Sequence, residues 1–367
     1  MTIHAAALKR KINASIKFTK IIMQPIARFV FCGYNPREDT TRFLFFETCR
    51  IMKEEFPMAW NRWNLLDLND WEPDDFHGFV DYALSLAPRL ESLPKKPLDS
   101  LRGMTVANMF FENSTRTRNS FAAAEQMTGA AYIDWSASGS SMAKGETLRD
   151  TVWTLCEMGV NGLVVRHSLT GMPYYIQKLV PHIPVFNAGD GARSHPTQGL
   201  LDIVAATRRL GDLKGATVAI VGDVKYSRVA RSDVLAFGGM GARVTVSGPR
   251  TLLPANPEAF GAKYVPDPRK AVAEADIVML LRVQLERQEA GLFPSVKEYH
   301  ALYGANDELL AHAKPGAVVM HPAPINRGVE ISSGLADGER SLLREQVHCG
   351  VLARMAVLDI CLGGGKR

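Results

Sequence analysis

From about residue 69 the chain alternates between two hydrophobic rhythms. Short, mostly apolar runs read as strands: Met104–Phe111, which reads as buried, Ala131–Trp135, Gly162–Val165 and Ile183–Asn187, then Ala216–Val221, Arg243–Ser247, Asp276–Leu281 and Ala317–His321. Between them apolar residues recur at the helical period near 119–128, 146–158, 172–181, 228–237, 268–274 and 306–313. This alternation predicts an α/β fold of two parallel-sheet domains covered by helices. Ahead of the first strand, Asp70 or Glu72 with Pro73 opens a helix running toward Leu90. Between the halves Ser194 is the predicted N-cap of a bridging helix, and Pro196 sits where a missing N–H does no harm. In the last helix, Ser341 to Leu362, the positions Leu343, Val347, Val351, Met355 and Leu358 read as a buried stripe. No apolar run approaches the ~20 residues of a membrane span.

The first strand leads into Glu112-Asn113-Ser114-Thr115-Arg116-Thr117-Arg118, and Asn119 to Met127 then reads as a helix with Phe121, Ala124 and Met127 on one face. A helix start offers unpaired N–H groups and the positive end of a dipole. Hydroxyls and a guanidinium at that point make an anion site, suited above all to phosphate.

Charge narrows the class of ligand. Lys and Arg total 43 against 38 Asp and Glu, but residues 1–57 hold ten and five of these, which leaves 33 of each sign in residues 58–367. The body has no global basic excess, so a nucleic-acid partner has no broad electrostatic footprint there. Any cationic cluster must be local, as a small anionic ligand requires. Residues 1–57 are basic and acid-poor at their start; they read as a disordered extension or as sequence ahead of a start at Met58, with an organellar transit peptide as the alternative. Five scattered cysteines form no metal-like spacing and fit a reducing compartment, with Cys156 and Cys361 as small core residues.

Polar residues recur at the predicted carboxyl ends of the strands, where open α/β sheets bind ligands. They are Ser114–Arg118, Arg166-His167, Gly189-Asp190-Gly191 with His195 and Gln198, Gly222–Arg228, Arg282-Val283-Gln284, and His321–Pro324. No G-x-G-x-x-G, P-loop or G-x-S-x-G pattern is present. An arginine-rich site with one histidine and no evident covalent nucleophile suits transfer between two small anions by positioning and charge stabilisation. The small-residue loop Ser136–Gly145 ends with Lys144 before a helix start.

Together Ser114–Arg118, Lys144–Thr147, Arg166-His167, His195–Gln198, Arg282–Gln284 with Glu286-Arg287, and His321–Pro324 resemble the catalytic chains of the aspartate carbamoyltransferases, in unbroken order over about residues 63–362. The resemblance implies a carbamoyl-phosphate domain over 58–195, an aspartate domain over 196–340, and a C-terminal helix, 341–367, that returns to the first domain. It implies transfer of the carbamoyl group from carbamoyl phosphate to the amine of L-aspartate, an early step of pyrimidine synthesis, without metal or organic cofactor. Ser114, Thr115, Arg116 and Thr117 would hold the phosphate with Arg166. His195, Gln198, Thr117 and the backbone at Ala323 and Pro324 would address the carbamoyl group. Arg228, Arg282 and Gln284 would clamp aspartate, together with Arg166 and Lys144. Arg116, Thr117, Lys144 and His195 would be catalytic. The loop carrying Ser140 and Lys144 would enter a neighbouring subunit's site, making the active species a homotrimer, with cytoplasmic location expected. Ala323 departs from the Leu or Gly common in this family. Regulatory chains or a dihydroorotase-like partner leave no mark in the sequence.

The nearest rival is an ornithine carbamoyltransferase, which typically carries His-Pro-Cys-Gln and His-Cys-Leu-Pro where Thr197 and Pro322 stand here. The pair Arg228 and Arg282 suits a dicarboxylate better than a cationic amino acid. A catalytically silent scaffold homologue is the remaining alternative.

Overall fold

The computed structural model describes residues 62–136, 144–284 and 295–363. In the first half the elements are α1 (Pro73–Ser85), α2 (Ala87–Glu91), β1 (Thr105–Phe110), α3 (Thr115–Thr128), β2 (Ala131–Ser136), α4 (Leu148–Glu157), β3 (Gly162–His167), α5 (Met172–Leu179) and β4 (Val185–Asp190). Helix α6 (Pro196–Leu210) follows. The second half has β5 (Thr217–Val221), α7 (Arg228–Gly239), β6 (Arg243–Ser247), β7 (Lys263–Tyr264), α8 (Pro268–Val272), β8 (Ile277–Leu280), α9 (Val296–Tyr303), α10 (Asp307–Leu310), β9 (Val318–Met320) and α11 (Ser333–Asp337). Helix α12 (Leu343–Leu358) continues as a π-helical turn over Asp359–Gly363.

All strand pairings are parallel, in the orders β2-β1-β3-β4 and β7-β6-β5-β8-β9. Both sheets are therefore wound outward in two directions from an inner strand. The first reverses between β1 and β3, the second between β5 and β8. At such a switch the two outgoing connections diverge and leave a crevice beyond the carboxyl ends of the strands. The residues after β1, β3, β5 and β8 thus share one geometric position for topological reasons.

Helices α6 and α12 form part of one continuous apolar core. Leu200, Val204 and Ala205 of α6, with Leu352, Ala353 and Met355 of α12, are buried with Phe121 of α3 and Phe237 of α7. The segment Leu343–Gly363 is long and apolar enough to cross a membrane by length and composition alone. Here it serves as a core helix, and it carries the buried Arg354.

Several local expectations are corrected. Helix α3 begins at Thr115 rather than Asn119, so Thr115–Arg118 lie in its first turn and not in a preceding loop. Ser194 is not the cap of α6; His195 holds that position, with Pro196 directly after it, while the Ser194 hydroxyl accepts from Asn187 Nδ2 at 3.0 Å. In α12 the predicted positions Met355 and Leu358 are buried, but Val347 is 53% exposed, and the N-terminal part of the buried face runs through Cys349, Leu352 and Ala353. The predicted stripe stepped mainly by four residues, which drifts off one face of a 3.6-residue helix. Cys156 is half-buried; Cys361 is buried. Strand β7 and helices α9 and α11 carry signals too short to read.

Candidate active site

The cleft is assembled from β-strand ends. It has a volume of about 610 Å³, and its lining includes Ser114, Thr115, Arg116, Thr117, Arg166, His195, Gln198, Arg228, Arg282, Gln284, Ala323 and Pro324. Residues separated by more than 200 positions in sequence thus meet at one place. Lys144 is the one expected residue among the described ones that does not join them. It is exposed and does not line this cleft; Ser140 lies outside the described residues, as do Glu286 and Arg287.

The phosphate-type subsite is the first turn of α3. Ser114 is its N-cap in extended conformation, and its side chain makes no cap hydrogen bond. No acidic residue occupies the first turn, so the positive end of the helix is not neutralised from within. Arg116 is half-buried there; burial first, then the nearby Arg282, push its guanidinium pKa down. Two cations near enough to disfavour each other's charge store a field that an anion relieves.

A residue that sequence reasoning passed over organises the other wall. Glu112 lies between two arginines, with one carboxylate oxygen 2.7 Å from Arg166 Nε and in close contact with Arg228 Nη2. Arg166 Nη1 also donates to the Ala188 carbonyl at 3.3 Å and Thr117 Oγ1 at 3.4 Å. Arg228 Nη1 donates to the Gly191 carbonyl at 3.2 Å. A Cβ placed on Gly189, which has φ 134°, would lie 2.9 Å from the Arg228 guanidinium carbon. Glycine there is what lets Arg228 lie flat across the end of β4. Glu112 sat within the motif; only the pairing of β1 with β3 shows what it touches.

His195 is the N-cap residue of α6 and is buried, with 3% exposure. Its backbone N–H donates to Ser232 Oγ at 2.9 Å, which ties α6 to α7. Burial, followed by Arg166, Arg228 and Arg354, holds the imidazole pKa well below the ordinary histidine value. The ring is therefore neutral at pH 7 and carries one N–H. Nδ1 lies 3.5 Å from Thr197 Oγ1, and Arg354 Nη2 donates to that same hydroxyl oxygen at 3.4 Å. His195, Thr197 and Arg354 thus form one buried chain, and the neutral ring keeps one N–H to donate.

Gln198 donates through Nε2 to both Asp202 oxygens at 3.1 Å. Gln284 Nε2 donates to the Tyr226 carbonyl at 3.3 Å, which fixes the β8 turn to the β5 turn. At the last strand end Ala323 has φ 49°, and its N–H donates to His321 Nδ1 at 2.8 Å. Since Pro322 and Pro324 have no N–H, this loop offers carbonyl acceptors alone to a ligand. His321 is buried beside Glu330, with Nε2 3.3 Å from the carboxylate. Desolvation nevertheless lowers the His321 pKa, against the pull of Glu330 and with help from Arg116 and Arg282.

Two family models match the chain: the aspartate/ornithine carbamoyltransferase carbamoyl-P binding domain over residues 63–208, and the Asp/Orn binding domain over residues 214–361. The chain is 50% identical over 298 residues to the aspartate carbamoyltransferase catalytic subunit of Acidiphilium cryptum, covering 81% of this chain and 95% of that protein. It is 45% identical over 311 residues to that of Opitutus terrae, covering 84% and 97%. Among solved structures, aspartate transcarbamoylase from Trypanosoma cruzi in complex with carbamoyl phosphate and aspartate has a TM-score of 0.72 at 26% identity, covering 80% of this chain and 95% of that one. Ornithine carbamoyltransferase from Pyrococcus furiosus has a TM-score of 0.73 at 29% identity, covering 83% and 98%. With both domain models matched in order and relatives at 45–50% identity over nearly their full length, the chain belongs to the aspartate/ornithine carbamoyltransferase family.

Proposed function

We propose that this protein is an aspartate carbamoyltransferase, forming N-carbamoyl-L-aspartate and phosphate from carbamoyl phosphate and L-aspartate. The observation that carries this reading is the convergence of Arg116, Arg166, Arg228 and Arg282 on one cleft, with Arg116 and Arg282 close enough to oppose each other's charge. Two small acids relieve that repulsion; an ornithine side chain would add to it. The relatives at 45–50% identity named for aspartate support the same choice. Structural likeness alone does not discriminate, because the aspartate and ornithine enzymes score alike.

In the reaction the neutral α-amine of aspartate attacks the carbonyl carbon of carbamoyl phosphate. Negative charge develops on the carbonyl oxygen, to which Arg116, Thr117 and the ring N–H of His195 donate. A neutral imidazole serves here because a donor is needed, not a proton source. The bond to the bridging oxygen then breaks as the phosphate takes an N–H proton of the nucleophile, and the resulting hydrogen phosphate dianion is held by the first turn of α3 and by Arg166. Preorganised donors act without reorganisation cost at the moment charge appears. Arg228 and Arg282 hold the aspartate carboxylates, with Gln284 beside them.

Lys144 belongs to this account only through a second subunit. Its exposure and its absence from its own cleft support a homotrimer in which the Ser140 and Lys144 loop completes a neighbour's site. Steady-state assay of the purified chain with carbamoyl phosphate and either amino acid tests the reading. Carbamoylaspartate should form, and preferential carbamoylation of ornithine would overturn the assignment.

A further inference from the structure

Beneath the cleft lies a buried polar cluster that the chemistry above does not use. Asp202 of α6 and Asp233 of α7 are both fully buried, and the charge of Asp202 bears on Asp233. Desolvation and the facing Asp202 charge raise the Asp233 pKa well above the carboxylate range. Desolvation also raises Asp202, to about 6, with the donors Gln346 and Gln198 and the nearby Arg354 pulling it back down. The amide donors that face Asp202 therefore favour its charged form.

The consequence is an orientation. Gln198 Nε2 donates to both oxygens of Asp202 at 3.1 Å. Gln346 Nε2 donates to Asp202 Oδ1 at 2.7 Å, while Gln346 Oε1 accepts from the His321 N–H at 3.0 Å. A carboxylate only accepts, so both glutamines must present nitrogen to it. For Gln346 the other end is then committed to the strand carrying His321. For Gln198, which lines the cleft, the oxygen is the remaining end, and among the described residues it accepts from no protein donor. The Ala323 loop, as shown above, likewise offers acceptors only.

We propose that Asp202 is a positioning residue for substrate selection: its carboxylate fixes Gln198 with the amide oxygen toward the cleft, where it accepts from the N–H2 of a carbamoyl phosphate and discriminates against an acyl phosphate bearing methyl instead. The proposal rests on the carbamoyltransferase reading. Asp202→Asn changes one oxygen for nitrogen without changing volume. With Gln346 retaining the remaining oxygen, the new N–H2 faces Gln198, whose amide must turn its oxygen inward and its own N–H2 toward the ligand.

The test compares carbamoyl phosphate KM with the inhibition constant of acetyl phosphate, in wild type and in Asp202→Asn, on the full chain. Loss of a hydrogen bond together with an unfavourable N–H2 pair is expected to raise carbamoyl phosphate KM by about 10- to 100-fold. The acetyl phosphate constant should move less than about threefold, since methyl makes no use of the Gln198 oxygen. Equal weakening of both ligands, or of neither, overturns the proposal. An inactive wild type would instead overturn the underlying reading. Neutron diffraction on wild-type crystals decides the orientation with no substitution at all: Gln198 nitrogen toward Asp202 supports it, and oxygen toward Asp202 defeats it.

Discussion

Arg116 and Arg228 meet the same cleft under different electrostatic terms. Arg228 shares the Glu112 carboxylate with Arg166, whereas Arg116 faces another guanidinium. Removing them should therefore have different signatures. Arg116→Ala is expected to lower kcat by about 10²–10³-fold, the usual cost of a lost oxyanion donor, with little loss of fold stability; kcat and thermal midpoint measured together check this. Glu112→Gln should act mainly on the folded state. It leaves two nearly buried arginines sharing no carboxylate, for an expected loss of about 1–3 kcal/mol. Phosphate should restore part of that stability, because its charge takes the place of the missing one. Equilibrium unfolding with and without phosphate measures both effects, and an unchanged midpoint would contradict the pairing. At this scale the sequence was legible where function needs a recognisable cation. Arg116, Arg166, Arg228 and Arg282 all stand at strand ends. Glu112 and Gln346 were not, because their partners lie far away in sequence, on other elements; Asp202 and Asp233 were not, because nothing in the sequence marks that α6 and α7 pack these two carboxyls into the interior.

Among elements, α3 shows how much of the site is backbone. The helix starts four residues before its apolar spacing announces it. Ser114, Thr115 and Thr117 carry no helical signal of their own, since hydroxyl residues compete for local backbone hydrogen bonds. Their place was readable as an anion site, but the boundary was not. Further along α3, Glu125 is fully buried, accepts from Asn108 Nδ2 at 3.0 Å, and has its pKa raised to about 8, chiefly by desolvation. Being raised above the unfolded value, it contributes full stability below about pH 4.5 and loses it as pH climbs through 8. Glu125→Gln should remove that slope, gaining on the order of 1–3 kcal/mol relative to wild type between pH 5 and 8. Urea unfolding across this range checks the sign. The strands were readable to within about two residues at most ends because the inner strands are buried on both faces, giving near-continuous apolar runs, whereas the edge strand β2 is largely exposed. Strand β7, with two residues at a sheet edge, had no run to show.

For the molecule as a whole, two doubly wound sheets place four outgoing turns around one cleft, and α12 returns from the second half to the core beside α3 and α6. The α/β alternation was visible in the hydrophobic rhythm. Strand order was not, because register and crossover are set by packing between distant runs. Lys144 lies away from its own cleft, and the proposed shared site makes a prediction about assembly. Mixing inactive Lys144→Ala and His195→Ala chains should regain partial activity through hybrid trimers that contain some intact sites. No recovery after subunit exchange verified by mass would refute the shared site. The central claim is that cations from separated strand ends converge on two small acids. Its most direct test is a crystal structure of the protein with N-phosphonoacetyl-L-aspartate. The account predicts the phosphonate on the first turn of α3 against Arg116 and Arg166, with the carboxylates on Arg228 and Arg282; a ligand bound elsewhere, or bound with the phosphonate at Arg282 and the carboxylates at α3, would contradict it.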